Sequence, residues 1–381
     1  MKVLVIVTGG TIGSTWSNGT IGLEKQSELP LLSLYWEKME SFGIPDVEFI
    51  MTSPYQLLSE NSTGKVLGRL AESIYAGLEQ AEQEGCRGII VTHGTDTLAY
   101  SAAMAGYLFM NCPVPVVFVS ANYVLSDTRS NGLDNFHYAL ELIRNHTGGG
   151  VYVSYRNTGD VPRIHLGTRV LGHQPFSDDV YSVGGACAWF DEDGIHNSFD
   201  WRREQPVGGN GQTEQGLETV EKQVWLGAAE QWENGEDVNG SRKMKDRSRS
   251  AVRWRDLQWD APILQIHPAP GMGYPAIPPE TKAVLHHTYH AGTICSATPG
   301  IDLFFEEAGR RQIPVFLTGA DPELVYDSTR KFARYGIHVL PKASPVSMYM
   351  KLWLLLVSGR DPVEWMGREM AGEFPLGKRG K

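Results

Sequence analysis

Two turns in this sequence place threonine hydroxyls among glycines at the ends of apolar runs. The first turn, 8–13, reads Thr-Gly-Gly-Thr-Ile-Gly and follows the run Val3–Val7. The second segment, 91–97, reads Val-Thr-His-Gly-Thr-Asp-Thr. A hydroxyl becomes a nucleophile only when a base removes its proton or a neighbour lowers its pKa. The two turns therefore predict a hydroxyl nucleophile and a second activated hydroxyl in one pocket, a combination that suits the hydrolysis of an amide.

The two turns differ in how specific they are. A glycine-rich turn follows the first strand of many α/β proteins, so the turn at 8–13 alone could be purely structural. Its spacing is not GxGxxG, and a dinucleotide site is therefore unsupported. The segment His93–Thr97 is more specific, because small and polar residues interrupt a buried strand pattern there. The pair of turns is a stronger signal than either turn alone.

The turns fall where α/β proteins bind ligands. Ligands of open α/β sheets lie outside the carboxyl ends of the strands, and Thr11 and Thr95 both come just after such ends. Glycines at these positions let backbone N–H groups point into the same space. The N–H groups of Gly10, Thr11 or Thr95 could form an oxyanion hole, in which each donor is worth about 3 kcal/mol. Asp96 is too weak a base at an ordinary carboxylate pKa, but it could anchor a substrate ammonium group.

The elements that hold these turns alternate between strand and helix patterns. Apolar runs without alternation are typical of parallel strands buried on both faces; they occur at 3–7, 47–51, 88–91, 114–119 and 151–154. Helix patterns lie between them at 63–84, 98–110 and 131–145. Ser62-Thr63 is suited to cap the first of these helices and Gly85 to end it. The fold class predicted is α/β, with a larger N-terminal, doubly wound mixed-sheet domain.

The chain is expected to contain a second, smaller domain. Residues 200–258 are glycine-rich and polar, which predicts a linker or insertion, with a possible helix at 216–230. The α/β pattern then restarts with strands at 263–267 and 314–318 and helices at 301–309 and 345–357. We therefore predict a catalytic domain at 1–199, an insertion at 200–258 and a parallel α/β domain at 259–381.

Composition excludes several classes of function. The formal net charge is −10, from 44 acidic and 34 basic residues, which argues against a nucleic-acid surface. No apolar stretch reaches the roughly 18 residues that span a bilayer, and the first glycines come too early for a signal peptide. We therefore expect a cytoplasmic protein without a membrane contact. The cysteines form no CxxC pair that could bind zinc. The histidine-rich run His286–His290 lies at a predicted helix-to-strand junction and has no carboxylates at the spacing of metal ligands. No metal and no cofactor are predicted.

The motifs TGGTIG at 8–13 and VTHGTDTLAYSA at 91–102 resemble the two signatures of the bacterial-type L-asparaginase/glutaminase family. Leu58-Ser59-Glu60-Asn61 is similar to that family's substrate-carboxylate loop, in the form found in the amidotransferase subunit that makes glutaminyl-tRNA from glutamyl-tRNA. The segment 130–135 resembles its S-D-G-x-x-N motif, Gly167-Thr168-Arg169 fits a later motif, and Lys351-Leu352 fits its last helix. The likeness covers roughly 1–190 well and 260–360 loosely.

The resemblance implies roles for individual residues. Thr11 matches the threonine nucleophile that forms an acyl-enzyme, and Thr95 with Asp96 matches a second threonine and its aspartate partner. Ser59 and Glu60 match residues that hold the substrate's α-carboxylate and α-amine, and Gly10 and Gly94 are expected to line the substrate site. The family also implies a small-molecule amide substrate, no cofactor and a homodimer or homotetramer.

The chain departs from the family at three places. The family places a lysine beside its second threonine, but Gly172 occupies the matching position here, and no lysine lies between Lys65 and Lys222. His173 could serve as the base instead, or it could be a surface histidine or a hydrogen-bonded loop histidine. The segment 14–22 lacks the family's lid tyrosine, and the acidic residue expected near 342–346 is absent.

The sequence thus predicts a divergent amidohydrolase in which Thr11 attacks a carboxamide, L-asparagine being favoured, and releases ammonia. Two alternatives stay open. One is hydrolysis of a larger asparagine- or glutamine-derived conjugate, for which the absent lid tyrosine leaves room. The other is a ligand-binding relative without turnover, because losing a general base typically costs about 100- to 10,000-fold in rate.

Overall fold

Parallel strands and the helices between them dominate the computed structural model, which describes residues 1–17, 20–23, 30–42, 47–146, 148–197, 258–321, 326 and 329–375. The chain separates into two compact units, Met1–Leu257 and Gln258–Lys381. The predicted insertion at 200–258, with its possible helix at 216–230, lies outside the described residues apart from Gln258. In the described part of the chain, no helix is long and apolar enough to cross a membrane.

The first unit is built on an eight-stranded mixed sheet in the order β10-β9-β8-β7-β6-β5-β1-β4. Its strands are β1 (Lys2–Val7), β4 (Glu48–Thr52), β5 (Ile89–Thr92), β6 (Pro115–Val119), β7 (Gly150–Arg156), β8 (Pro162–Leu166), β9 (Ala188–Asp191) and β10 (Gly194–Asn197). Strands β4, β1, β5, β6 and β7 run parallel, and β8 to β10 continue the sheet antiparallel. The mixed α/β architecture predicted from the apolar runs is confirmed.

Helices of this unit bury their apolar faces against the sheet: α1 (Pro30–Phe42), α2 (Gly64–Glu84), α3 (Leu98–Phe109) and α4 (Gly132–Asn145). Helix α2 begins and ends where its caps predict. The Thr63 hydroxyl accepts a hydrogen bond from the Val66 N–H at 3.4 Å, and Gly85 closes the helix in the left-handed conformation. A small antiparallel hairpin, β2 (Ser14–Ser17) and β3 (Thr20–Leu23), follows the first turn, at a place where the sequence predicts only a loop.

The second unit holds a parallel sheet in the order β11-β12-β13-β14. Its elements are β11 (Ile263–Ile266), β12 (Ala283–His287), α5 (Ile301–Arg310), β13 (Val315–Thr318), α6 (Arg330–Arg334), β14 (His338–Val339), α7 (Pro345–Val357) and α8 (Pro362–Trp365). The helix predicted at 345–357 is confirmed at both ends, because Ser344 caps it through the Ser347 N–H and Pro345 occupies its first turn.

One interpretation of the sequence in this unit is wrong. His286 and His287 are the last residues of β12 and do not lie at a helix-to-strand junction. His286 is buried there because its Nε2 accepts a hydrogen bond from the Tyr274 hydroxyl at 2.9 Å, while its Nδ1 contacts the His287 carbonyl. A local pattern does not reveal a buried histidine whose partner lies elsewhere in the chain, and this explains the error.

Candidate active site

The pairing of β1 with β5 brings the two threonine turns side by side. Val7 lies opposite Thr92 in this parallel pair. Directly after it, the Thr8 hydroxyl donates to the Thr92 carbonyl at 2.6 Å, and the Thr92 hydroxyl accepts from the Thr8 N–H at 3.4 Å. Both threonines are buried. The two chain segments therefore leave the sheet in a fixed register, tied by side chains as well as by the strand ladder.

Beyond the sheet, three turns touch through residues without large side chains. A Cβ added to Gly10 would lie 2.3 Å from the Gly94 nitrogen, and one added to Gly94 would lie 2.3 Å from the Ser59 Oγ. Gly10 also has a φ of 78°, which disfavours any L side chain. Gly10 donates to the Leu57 carbonyl at 3.1 Å, which holds the turn around Ser59 alongside. Glycine is thus required at 10 and 94 by close contact with the neighbouring turns.

Hydrogen bonds then tie the Ser59 turn to the turn of the second threonine. The Ser59 hydroxyl donates to the Asp96 carboxylate at 3.0 Å. Thr97 donates to the Ser59 carbonyl at 3.1 Å and lies 3.2 Å from the Ser62 hydroxyl. These contacts explain the polar residues that interrupt the strand pattern after β5. They also fix the orientation of the Asp96 carboxylate, although Asp96 itself is exposed.

The two threonines of the expected chemistry lie at the rim of this cluster. Thr11 begins a short 3-10 turn, Thr11–Gly13, and is half-buried, as is Thr95. Thr95 precedes helix α3, whose amino end attracts negative charge. Glu60 is exposed in the turn Ser59–Asn61. Gly10, Ser59, Gly94 and Asp96 therefore lie together, and Thr11 and Thr95 follow directly from the two glycine turns; the catalytic and binding roles of all these residues stay predictions.

Burial shifts the pKa values of two aromatic groups beside the turns. Burial lowers the pKa of His93, against the opposing effects of a hydrogen bond to the Gly94 carbonyl and the charge of Asp96. Burial raises the pKa of Tyr55 to about 12, although a hydrogen bond with Thr8 and the charge of Arg69 act against the rise. Tyr55 was not identified from the sequence. The repeated Val-Thr pair at 7–8 and 91–92 is the signal that could have identified Thr8 and Thr92.

The segment that carries Gly172 and His173 follows a turn that packs on helix α3. A tight 3-10 turn, Gly167–Arg169, packs on this helix so closely that a Cβ on Gly106 would lie 2.6 Å from the Thr168 side chain. From there residues 171–181, termed here the 171–181 loop, leave and return through an antiparallel bridge between Val170 and Ser182. Burial lowers the pKa of His173 in this loop, and the charge of Asp96 acts in the opposite direction.

Metal binding finds no support in the residues that the structure describes. No group of three or more histidine, cysteine or acidic side chains there could hold an ion. In the run His286–His290, the His287 ring stacks on His267 with centroids 3.9 Å apart, and its Nε2 lies 3.3 Å from the Gln265 side chain. These imidazoles pack against each other and do not converge on a common point.

Comparison with known proteins identifies the larger unit. Residues 2–180 match the family model described as Asparaginase, N-terminal. The chain is 31% identical over 173 residues to a glutamyl-tRNA(Gln) amidotransferase subunit of Pyrobaculum aerophilum, a match that covers 44% of this chain and 39% of that protein. It is 29% identical over 175 residues to an L-asparaginase of Thermococcus kodakarensis, a match that covers 45% of this chain and 47% of that protein. The matched segment thus spans less than half the length of these curated relatives.

Similarity of fold to solved structures extends over more of the chain than similarity of sequence to the curated relatives. The solved structure of the thermostable L-asparaginase from Thermococcus kodakarensis superposes with a TM-score of 0.66 at 23% identity, covering 99% of this chain and 100% of that one. Identity at this level shows the fold alone. Residues 2–180 nevertheless match the family model directly, so the resemblance of this part of the chain to the asparaginase family, as a divergent member, is confirmed.

Proposed function

We propose that this protein hydrolyses a carboxamide, with Thr11 as the nucleophile and L-asparagine as the favoured substrate. The observation that carries the proposal is the contact between the two threonine turns, where a Cβ on Gly10 would lie 2.3 Å from the Gly94 nitrogen. This contact joins the two turns that carry Thr11 and Thr95, which supports nucleophilic catalysis with a second hydroxyl. The likeness to L-asparaginases and amidotransferase subunits supports the same reaction class.

The proposed reaction begins when the Thr11 oxygen attacks the amide carbonyl carbon. The carbon–nitrogen bond then breaks, ammonia or an amine leaves, and an ester on Thr11 remains for water to hydrolyse. Backbone N–H groups of the glycine turns stabilise the oxyanion, each by about 3 kcal/mol. Asp96, oriented by its hydrogen bond from Ser59, anchors the substrate ammonium group, with Glu60 beside it. A cytoplasmic location, expected from the sequence, and a homodimer or homotetramer, expected from the resemblance, are further parts of the proposal.

Ammonia or amine release tests the proposal directly. The parent protein is incubated with asparagine, glutamine and N-substituted asparagines, in parallel with Thr11→Val. Valine keeps the shape of threonine but lacks the hydroxyl, so turnover should fall by about 1,000-fold or more, in line with nucleophile removal in other hydrolases. Thr158→Val, at an exposed threonine, is the matched control and should leave turnover unchanged.

The substrate series separates the interpretations that the sequence leaves open. Release from asparagine, abolished in Thr11→Val, supports the proposal as stated. Release only from bulky N-substituted amides moves the substrate assignment to conjugates and keeps Thr11 as the nucleophile. No release from any amide, together with ligand binding that is equal in parent and Thr11→Val, refutes the enzyme and leaves a binding protein.

A further inference from the structure

Thr97 is a polar residue of the second threonine turn to which the proposed reaction assigns no role. It is the N-cap of helix α3, the residue directly before the helix begins. Threonine is favoured at such positions because its side-chain oxygen can accept a hydrogen bond from an N–H group in the first turn of the helix. Thr97 makes no side-chain bond of this kind to α3, all of whose residues the structure describes. Its hydroxyl is directed elsewhere.

Helix α2 provides the contrast. It also begins after a threonine, and there the Thr63 hydroxyl accepts a hydrogen bond from the Val66 N–H at 3.4 Å. Thr63 and Thr97 thus occupy the same position relative to their helices, but only Thr63 uses its hydroxyl to cap the helix. Helix capping therefore does not explain the hydroxyl at position 97, and its other contacts must.

The Thr97 hydroxyl contacts the turn Ser59–Asn61, which lies far from it in the sequence. It donates to the Ser59 carbonyl at 3.1 Å, across 38 positions of the chain. A hydroxyl has one proton to donate, so the Ser62 hydroxyl, 3.2 Å away, is the donor in its contact with Thr97. The Ser62 N–H also donates to the Ser59 carbonyl, at 3.0 Å. Two donors therefore fix the direction of this carbonyl, and one of them is the Thr97 side chain.

The second threonine turn also holds the side chain of Ser59. The Ser59 hydroxyl donates to the Asp96 carboxylate at 3.0 Å, and a Cβ on Gly94 would lie 2.3 Å from the Ser59 Oγ. Ser59 is buried, whereas Asp96 is exposed. An exposed side chain keeps its rotamer freedom unless a partner restrains it, so the bond from Ser59 restrains the Asp96 carboxylate. The consecutive residues Asp96 and Thr97 thus bind the hydroxyl and the carbonyl of the same serine.

We propose that Thr97 is a positioning residue for substrate binding. It holds the Ser59 backbone in place, so that the Ser59 hydroxyl keeps the Asp96 carboxylate in the orientation that binds the substrate's ammonium group. This role rests on the proposed function, in which Asp96 anchors that ammonium group. Thr97 itself contacts no reacting atom. Because the ammonium group takes no part in the breaking of the amide bond, its contact with Asp96 stabilises substrate and transition state alike, and weakening it raises KM with little change in kcat.

The first test removes the hydroxyl and then restores it. In Thr97→Val, the KM for the parent's best substrate among asparagine, glutamine and N-substituted asparagines should rise about 5- to 30-fold, the effect of losing one or two hydrogen bonds. The value of kcat should stay within about twofold of the parent's. Thr97→Ser keeps a hydroxyl and should return KM to the parent's value. Thr63→Val is the matched control: it removes a helix cap that does not contact Ser59, so it should lower stability to urea but leave kcat and KM unchanged.

A double-mutant cycle tests whether Thr97 acts through Ser59. Ser59→Ala removes the hydroxyl that restrains Asp96 but keeps the carbonyl that Thr97 contacts. In the Ser59→Ala background, Thr97→Val should therefore lower kcat/KM by less than about twofold, because nothing remains for it to position. A role of Thr97 in general stability would lower kcat/KM by the same factor in both backgrounds.

The outcomes separate the role of Thr97 from the proposed function. Turnover in the parent with a KM that Thr97→Val leaves within about twofold overturns the role of Thr97 and leaves the proposed function standing. The same holds if kcat falls in place of a rise in KM, if Thr63→Val raises KM equally, or if the two arms of the cycle show equal losses. Absence of amide turnover in the parent protein overturns both proposals.

Discussion

Replacing Gly10 with alanine tests the contact on which the candidate site depends. The added Cβ would lie 2.3 Å from the Gly94 nitrogen, 2.4 Å from the Gly94 Cα and 2.7 Å from the His93 carbonyl carbon. All three are backbone atoms, so no side chain can turn aside. Since ordinary contact begins at 3.4 Å, the two turns must separate by about 1 Å. The φ of 78° adds about 1–2 kcal/mol of strain for any L residue.

The expected result follows from these two effects. A displacement of about 1 Å between reacting groups typically costs about 100-fold in rate, so amide turnover should fall by at least that factor in Gly10→Ala. The free energy of unfolding should fall by roughly 2–4 kcal/mol, because backbone strain and the clash add. Turnover is measured as ammonia or amine release from the best substrate of the parent, and stability by urea unfolding at neutral pH.

Two other glycines separate the strain from the clash. Gly85 has a φ of 69° with nothing within 4 Å of an added Cβ, so Gly85→Ala should cost about 1–2 kcal/mol of stability and no activity. Gly13 also has open space around it and no positive φ, so Gly13→Ala should be close to neutral in stability. If Gly10→Ala behaves like Gly85→Ala in both assays, the two turns do not abut, and the geometric basis of the site is wrong.

Two further predictions concern the second unit. Lys351 and Glu373 form a fully buried ion pair at 2.7 Å, so Lys351→Met should lower the free energy of unfolding by roughly 3–5 kcal/mol in a urea titration. The double variant Lys351→Met with Glu373→Gln leaves no buried charge unpaired, so its free energy of unfolding should fall by less. An equal fall in both variants would contradict the ion-pair explanation. Burial lowers the pKa of His286 to about 4 in the folded chain, against about 6.5 when unfolded. The unfolded chain therefore binds more protons between these values, so this histidine's contribution to stability is complete above pH 6.5 and is lost as pH falls toward 4, by at most roughly 3 kcal/mol. In His286→Gln, the urea midpoint should therefore fall less between pH 6.5 and pH 4 than it does in the parent protein. His290→Gln, at an exposed histidine, should keep the parent's dependence on pH. Equal midpoint curves for the two variants would refute the assignment of this loss to His286.

Much of the fold could be predicted where local and buried signals agree. Strands β1 and β5 are apolar on both faces, so they stand out without alternation. Helix α2 has a threonine cap and a glycine stop, and helix α7 has a serine cap followed by proline. The antiparallel extension β8 to β10 and the hairpin β2–β3 were not predicted. Their pairing depends on partners across the sheet or the turn, and short strands of this kind carry weak patterns of their own.

The candidate site shows the same division between local and long-range information. Glycine turns and their threonines were identified from the sequence because conformation and chemistry both restrict residue type locally. The hydrogen bond from Ser59 to Asp96 joins residues 37 positions apart, and the bond from Thr8 to Thr92 joins residues 84 apart. Neither bond is visible until β1 and β5 are paired in register.

The register of β1 on β5 fixes the two glycine turns independently of the loop that carries Gly172 and His173. The hydrogen bond from the Thr8 hydroxyl to the Thr92 carbonyl holds this register where the two strands end. The spacing of the Thr11 and Thr95 turns follows from that register and from the Gly10–Gly94 contact. Gly172 and His173 belong to a separate loop with its own clamp on Asn157. A substitution in that loop can therefore leave the two glycine turns, and the threonines that follow them, in place.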